Sequence, residues 1–439
     1  MIQSVTAGAF IVAGPSIAAA VGLGFLSRFL VANLAVDSSR FMAVIIVNYA
    51  ASLILLGAPL YIFSRLVSDL LYLRLKREAV GLYIKYVLVA MAVTALIAIP
   101  FAGLLTPVAG PPVMFRAGAV LLFSGISALW FAMLIASLLQ WYGRVLAAYA
   151  GGIVVGSFLA WLCARSWGDA GALLGYAIGQ CLTAFTLTVL ACRAHRPRFA
   201  LTKAQTQNLA DWKKLALLGA AGLGYYASFW VDKILFWATR GTLVEGTPFK
   251  LYPPYDYAGF IANLSIVPGL VYYIISLEPI LHSRIMRLVD GIGHLPRHRI
   301  TRLRYTLTHD ISAELRSLIL VQGAFAVATL FLIPLISKDP GEPKTDNVYL
   351  AIAIVATSLQ FIAASIANIL FYFQRYGRVL AAFCVYIVVD LLASLPAAFN
   401  HELPTGMGFA LGGLVAILIL ALGLRDALAY VDKNIFSNV

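Results

Sequence analysis

The stretches "QWYGRVLAAY" (140–149) and "QRYGRVLAAF" (374–383) agree at eight of ten positions although 234 residues separate them. The echo continues at the same offset as Ile153, Val154 and Val155 against Ile387, Val388 and Val389. Agreement of this length at one fixed offset marks a duplicated chain. One copy therefore carries the same local instructions as the other. The Tyr-Gly-Arg turn itself reads as structural, with Gly permitting a tight bend and Arg at headgroup level.

Composition says what was duplicated. Of 439 residues 62% are hydrophobic and 12% charged, with a mean hydropathy of +0.90, whereas a soluble domain carries about 25% charged residues. The chain reads as a polytopic membrane protein. Cys163, Cys181, Cys192 and Cys384 lie in apolar stretches without CxxC or Cys/His spacing, so neither a disulfide framework nor a metal site is indicated. No Lys or Arg precedes Arg28, so the first apolar stretch, Val5 to Ser27, is expected to stay as a helix rather than serve as a cleaved leader.

A spanning helix needs about 20 apolar residues, because each backbone N–H and C=O must be satisfied within the segment. That ruler gives twelve spans, at 5–32, 41–63, 79–100, 117–139, 144–164, 170–192, 214–238, 257–280, 313–337, 348–373, 377–398 and 406–428. The two copies of the repeat fall between spans 4 and 5 and between spans 10 and 11. The expected fold is all-α: a six-helix bundle over 1–192, a basic cytoplasmic connector over 193–213, a second six-helix bundle over 214–429, and a cytoplasmic tail over 430–439. An even number of spans per half makes the copies parallel repeats about the membrane normal, a transporter plan.

Lys and Arg concentrate in loops 2/3, 4/5, 6/7, 8/9 and 10/11 and in the C-terminal tail. The opposite loops hold Arg40, Arg116, Arg165, Arg240, Lys250, Lys338 and Lys344. The positive-inside rule then puts both termini in the cytoplasm. The net charge of +13 is a basic rim facing anionic lipid, and a nucleic-acid partner is not implied. The largest such loop, 282–316, carries an apolar stripe at Ile300, Leu303, Leu307, Ile311 and Leu315 beside basic residues, among them Arg297, Arg299, Arg302 and Arg304. It suits either an amphipathic helix lying on the bilayer or a surface that docks a cytoplasmic partner.

Ionisable groups inside spans are costly and by default face a cavity. Asp390 lies 12 residues beyond Arg378, about 18 Å along the helix and near the centre of a core about 30 Å thick. Its counterpart in the first half is Gly156. Asp232 falls near the outer end of span 7 with Lys233 beside it, and Glu278 ends span 8 just before Pro279. Arg28 and Lys85 are close enough to helix ends to snorkel. Spans 7 and 8 are rich in aromatics: Tyr225, Tyr226, Phe229, Trp230, Phe236, Trp237, Tyr252, Tyr255, Tyr257, Phe260, Tyr272 and Tyr273. Trp237 and the loop tyrosines suit an interfacial belt. The others suit the C–H faces of a sugar, whose hydroxyls a carboxylate can accept. Nothing resembles an enzyme, and no cofactor is implied.

The run "FWVDKILFW" (229–237), "YD" at Tyr255 and Asp256, "FIANLSIVPG" (260–269), Glu278, the basic loop and Gln322 together resemble the Pel exopolysaccharide transporter (PelG) family. Pro279 and Ile280 stand where that family carries a second acid after the glutamate. The resemblance implies the superfamily of multidrug, oligosaccharide-lipid and polysaccharide exporters, with twelve helices in two bundles around a central cavity. It further implies an inner-membrane component passing a nascent, N-acetylgalactosamine-rich polysaccharide to the periplasm for a biofilm matrix. A PelF-like glycosyltransferase and PelD-like and PelE-like membrane proteins would be its partners. Phe229, Trp230, Asp232, Lys233, Tyr255, Asp256, Phe260, Pro268 and Glu278 are the positions matched. Two function classes stand: a polysaccharide channel or lipid-linked oligosaccharide flippase, and an antiporter of small organic cations in which Asp390 and Asp232 carry a proton or sodium ion. If Asp390 only contacts sugar, Asp390→Asn should lower secretion partially; if it carries the coupling ion, transport should stop.

Overall fold

The computed structural model describes residues 38–139, 141–200, 211–292, 294–336 and 347–429. Span 1 with Arg28, half of the connector, Lys338, Lys344 and the tail therefore lie outside the described residues. The elements run α1 (Ser38–Tyr72), α2 (Lys76–Ala102), α3 (Pro112–Leu138), α4 (Tyr142–Ala194), α5 (Trp212–Ser228), α6 (Val231–Thr239), a two-stranded hairpin β1 (Thr242–Leu243) and β2 (Lys250–Leu251), α7 (Pro253–Ser265), α8 (Val267–Tyr272), a π-helical turn (Tyr273–Leu277), α9 (Glu278–Ile292), α10 (Arg297–Ile336), α11 (Asn347–Tyr372), α12 (Tyr376–Phe399) and α13 (Met407–Ala429). The strands pair antiparallel, Thr242 opposite Leu251.

Among the described residues nine helical stretches are long and apolar enough to cross a membrane. One of them, α4, is two spans fused at Trp167 and Gly168, where the backbone leaves the helical region and Gly168 takes φ 57°. Span 7 is broken into α5 and α6, each too short to be counted. With α4 counted as two spans and the broken span 7 included, eleven of the twelve expected spans fall among the described residues.

Two compact units form. The first comprises α1 to α5 with the β-hairpin, residues up to Trp230 and 241–251. Its core packs Phe63, Tyr83 and Phe131 at one end and Phe41, Phe115, Leu122 and Tyr176 at the other. The two arms of α4 run back along each other through glycines. A Cβ on Gly179 would come 2.3 Å from the Gly156 Cα, and one on Gly175 2.5 Å from the Ala160 backbone. Small residues let backbones touch where lipid supplies no hydrophobic drive, and Gly156 has no room for the acid its counterpart Asp390 carries. Fully buried Asp169 accepts the backbone N–H groups of Val108 and Ala109, both at 2.8 Å, and so pins the preceding loop to the bend in α4. Connector residues strap onto α2: Arg198 meets Glu78 at 3.4 Å, and the Lys85 ammonium donates to the Phe199 carbonyl at 3.1 Å rather than snorkelling alone.

The repeated turn is a helix-end motif whose bend the glycine does not make. Gly143 lies inside the first turn of α4 with open space around it. Before α12 the bend is Gln374 at φ 56°, with N–H bonds from Gln374 to the Phe371 carbonyl and from Arg375 to the Leu370 carbonyl, both at 3.0 Å. The same nested pair closes α1 through Arg74, at φ 60°, and Leu75. Trp141 makes the matching bond to Ala136 at 2.8 Å. This is a Schellman ending, in which a left-handed residue lets two terminal carbonyls be satisfied.

The second unit holds α6 and residues 252–429. Here the 282–316 loop takes an unexpected form. It is no separate helix on the bilayer: α9 and α10 are long helices that continue the apolar spans, α10 over 40 residues, or about 60 Å. Leu288, Leu307 and Ile311 are buried, and Arg284 bonds Asp310 at 2.7 Å across the pair. Leu307 and Ile311 of the apolar stripe are thus covered by protein, whereas Ile300, Leu303 and Leu315 are only partly so.

Candidate functional site

The breaks in spans 7 and 8 decide which polar residues meet. Ser228 turns its hydroxyl onto the Tyr225 carbonyl at 2.7 Å, and Phe229 and Trp230 form a tight turn onto Tyr226 and Ala227. The chain then restarts as α6, nine residues lying along α12. Arg240, one residue past α6, donates through one guanidinium nitrogen to the carbonyls of Ala397, Asn400 (2.6 Å) and Leu403 (3.1 Å). These lie at and just beyond the C-terminal end of α12, whose last carbonyls a cation satisfies. Arg240 thus sets the register of α6 on α12.

That register brings Asp232 of α6 against Ser394 of α12. The Ser394 hydroxyl lies 2.8 Å from Asp232 Oδ1 and 3.3 Å from Asp390 Oδ1, one turn back on its own helix. The Tyr255 hydroxyl, in the first turn of α7, donates to Asp232 Oδ2. Both carboxylates are sealed in, Asp390 at 0% and Asp232 at 1% exposure. α13 closes the far side: a Cβ on Gly408 would stand 2.3 Å from both the Asp390 carbonyl and the Ser394 hydroxyl oxygen. Tyr386, one turn before Asp390, anchors its hydroxyl on the Phe409 carbonyl at 3.1 Å. Among the described residues no donor group reaches Asp390 Oδ2. In this conformation both carboxylates are enclosed by protein.

The other candidates disperse. Asp256 accepts the Trp237 indole N–H at 3.0 and 3.1 Å, so Trp237 is a buried donor. Lys233 places its ammonium against Gly259, within 3.1 Å of where a Cβ would lie. Tyr272 donates to Glu314 at 2.6 Å, and Tyr273 is buried in the π-helical turn. Glu278 is half-buried directly after that turn, a feature often found at functional positions, and Phe260 is exposed. Tyr225, Tyr226, Phe229 and Trp230 belong to the first unit, where both tyrosines meet Tyr61 edge-on at 5.8 and 6.1 Å and Phe229 meets Tyr225 at 5.1 Å. The aromatic run and the acids that follow it in sequence are thus assigned to different units.

Arg299 and Arg302 are exposed on α10, Arg304 turns to the Ala429 carbonyl, and the Arg297 side chain lies outside the described residues. Gln322, fully buried, donates to Ser358 (2.9 Å) and to the Ser265 carbonyl (3.4 Å) beside the α7–α8 break. A Cβ on Gly269 would stand 2.3 Å from its Oε1, which explains why that motif carries glycine after Val-Pro. Sequence reasoning missed Ser394 and Arg240. The first was legible as a polar residue four past a buried acid; the second gave no signal beyond its charge. Among the described residues no group of three His, Cys, Asp or Glu side chains could hold a metal.

Solved membrane-transporter structures share this fold. A MATE in complex with MaL6 aligns with a TM-score of 0.63 at 13% identity, covering 98% of this chain and 97% of that one. An outward-facing multidrug resistance MATE family transporter of the MOP superfamily gives 0.60 at 12%, covering 97% and 96%. A MOP superfamily transporter from Pyrococcus furiosus, described by the reverse polarity of its binding pocket, gives 0.59 at 12%, covering 96% and 95%. The fold is therefore twelve helices in two bundles. No curated protein matches the chain. The profile of the PelG family, described as "Putative exopolysaccharide Exporter (EPS-E)", matches residues 1–436. The chain belongs to the PelG family and is a multi-pass membrane exporter.

Proposed function

We propose that this exporter moves a nascent Pel-like, N-acetylgalactosamine-rich polysaccharide from the cytoplasm across the bacterial inner membrane for a biofilm matrix. The observation that carries this reading is the family match over residues 1–436. Polymer would arrive from a PelF-like glycosyltransferase docked on the α9–α10 helical pair, which presents Arg299 and Arg302, with PelD-like and PelE-like proteins beside it in the membrane.

The carboxylate pair supports ion coupling as the driving element. One hydroxyl bridges Asp232 and Asp390, and among the described residues no donor group reaches the buried Asp390 Oδ2. Two bare negative charges so placed cost far more than one, so the pair holds a proton or a monovalent cation. Gaining and losing it would switch the packing of α6 on α12. The same pair keeps the antiport of small organic cations as the second reading.

Deleting the gene and restoring it on a plasmid separates the two. Polysaccharide export predicts loss of secreted polymer with unchanged resistance to cationic dyes. Unchanged polymer with raised dye sensitivity would replace it with antiport.

A further inference from the structure

Arg304 of α10 reaches the Ala429 carbonyl at the end of α13, and a cleft of about 710 Å³ is lined by both helices. From α10 it takes Thr301, Arg304, Thr308 and Ser312, which recur every three or four residues and so share one face. From α13 it takes Arg425 above Leu424 and Leu428. No acidic residue lines it. Each wall thus offers one guanidinium group, Arg304 on α10 and Arg425 on α13; α10 adds a column of hydroxyls and α13 adds leucine side chains.

Position decides what such a cleft suits. α13 has 23 residues, about 34 Å of helix, so it crosses a bilayer core about 30 Å thick once. Arg425, one turn before its end, then lies at headgroup depth. Leu418 and Leu422, exposed on the same helix, continue the apolar surface inward. Arg304 is aimed by its bond to the Ala429 carbonyl, the last of α13. A free anion needs no apolar wall, whereas a phospholipid needs both halves: donors for its phosphate oxygens and a greasy track for its chains.

We propose that the cleft between α10 and α13 binds the phosphodiester headgroup of one anionic phospholipid, with its acyl chains along α13. This assignment is independent of the transported substrate. The test is native mass spectrometry of the full-length protein in detergent, titrated with dioctanoyl-phosphatidylglycerol. One lipid should bind, in preference to dioctanoyl-phosphatidylcholine. Arg425→Gln should weaken binding about tenfold, the loss of one charge-assisted bond. This variant leaves the Arg304–Ala429 bond in place, so its folding is safeguarded. Arg304→Gln/Arg425→Gln should weaken it further, and Arg302→Gln, outside the cleft, should not. Wild-type affinity in Arg425→Gln, or equal retention of phosphatidylcholine, would overturn the proposal. Displacement by millimolar inorganic phosphate would also overturn it, by making the site one for free anions.

Discussion

Asp390 and Gly156 occupy equivalent positions of the repeat and do opposite work. Gly156 lets the arms of α4 touch, and Gly179 faces it across a gap with no room for a methyl group. Gly179→Ala should therefore destabilise the first unit by about 1–3 kcal/mol, the usual range for overpacking, read as a lower melting temperature in detergent. A melting curve matching wild type would show that the arms relax freely. Asp390, by contrast, shares one hydroxyl with Asp232. Asp390→Asn preserves shape and cannot ionise. If the pair carries the coupling ion, secretion should stop in Asp390→Asn and in Asp232→Asn at wild-type membrane levels. Partial secretion in Asp390→Asn would return it to the sugar-contact role.

At the scale of elements, a helix break places Asp232 against Ser394, and the α9–α10 pair presents exposed arginines. Arg240 holds α6 on the end of α12, so Arg240→Gln should release three carbonyls and lower secretion severalfold by misplacing Asp232. Gel filtration checks that folding survives, since Arg240 is buried and Gln keeps a donor at that position. Full secretion would show that α6 needs no such staple. The α9–α10 pair projects Arg299 and Arg302 without using them inside the fold. Arg299→Glu/Arg302→Glu should abolish co-purification of the glycosyltransferase, and recovery at wild-type ratio would count against docking there. Arg304 is excluded from this test because it caps α13.

The whole molecule is a duplication, and its halves need not be equal to be parallel. Gly143 has open space around it, so Gly143→Cys is a benign probe, and Arg378→Cys marks the equivalent turn. In a background lacking the four native cysteines, both should react with a membrane-impermeant maleimide only from the cytoplasmic side. Labelling from opposite sides would end the parallel-repeat plan and the topology built on the positive-inside rule.

Membrane class, span count and duplication were legible in the chain by itself, because hydrocarbon forces each span to satisfy its own backbone and so writes its length into composition. The Asp390 position was legible for the same reason: a charge far from water stands out against an apolar run. Family membership was readable in the 229–322 motifs. What the linear pattern did not contain was the company each residue keeps. Trp230 and Val231 are neighbours in sequence but belong to different units, and Asp232 meets a serine 162 positions away. The stripe at Leu307 and Ile311 has the period of a lipid-facing helix, and only packing against α9 turned it into a buried seam. Helical period says that a face is apolar; tertiary contact alone decides whether lipid or protein covers it.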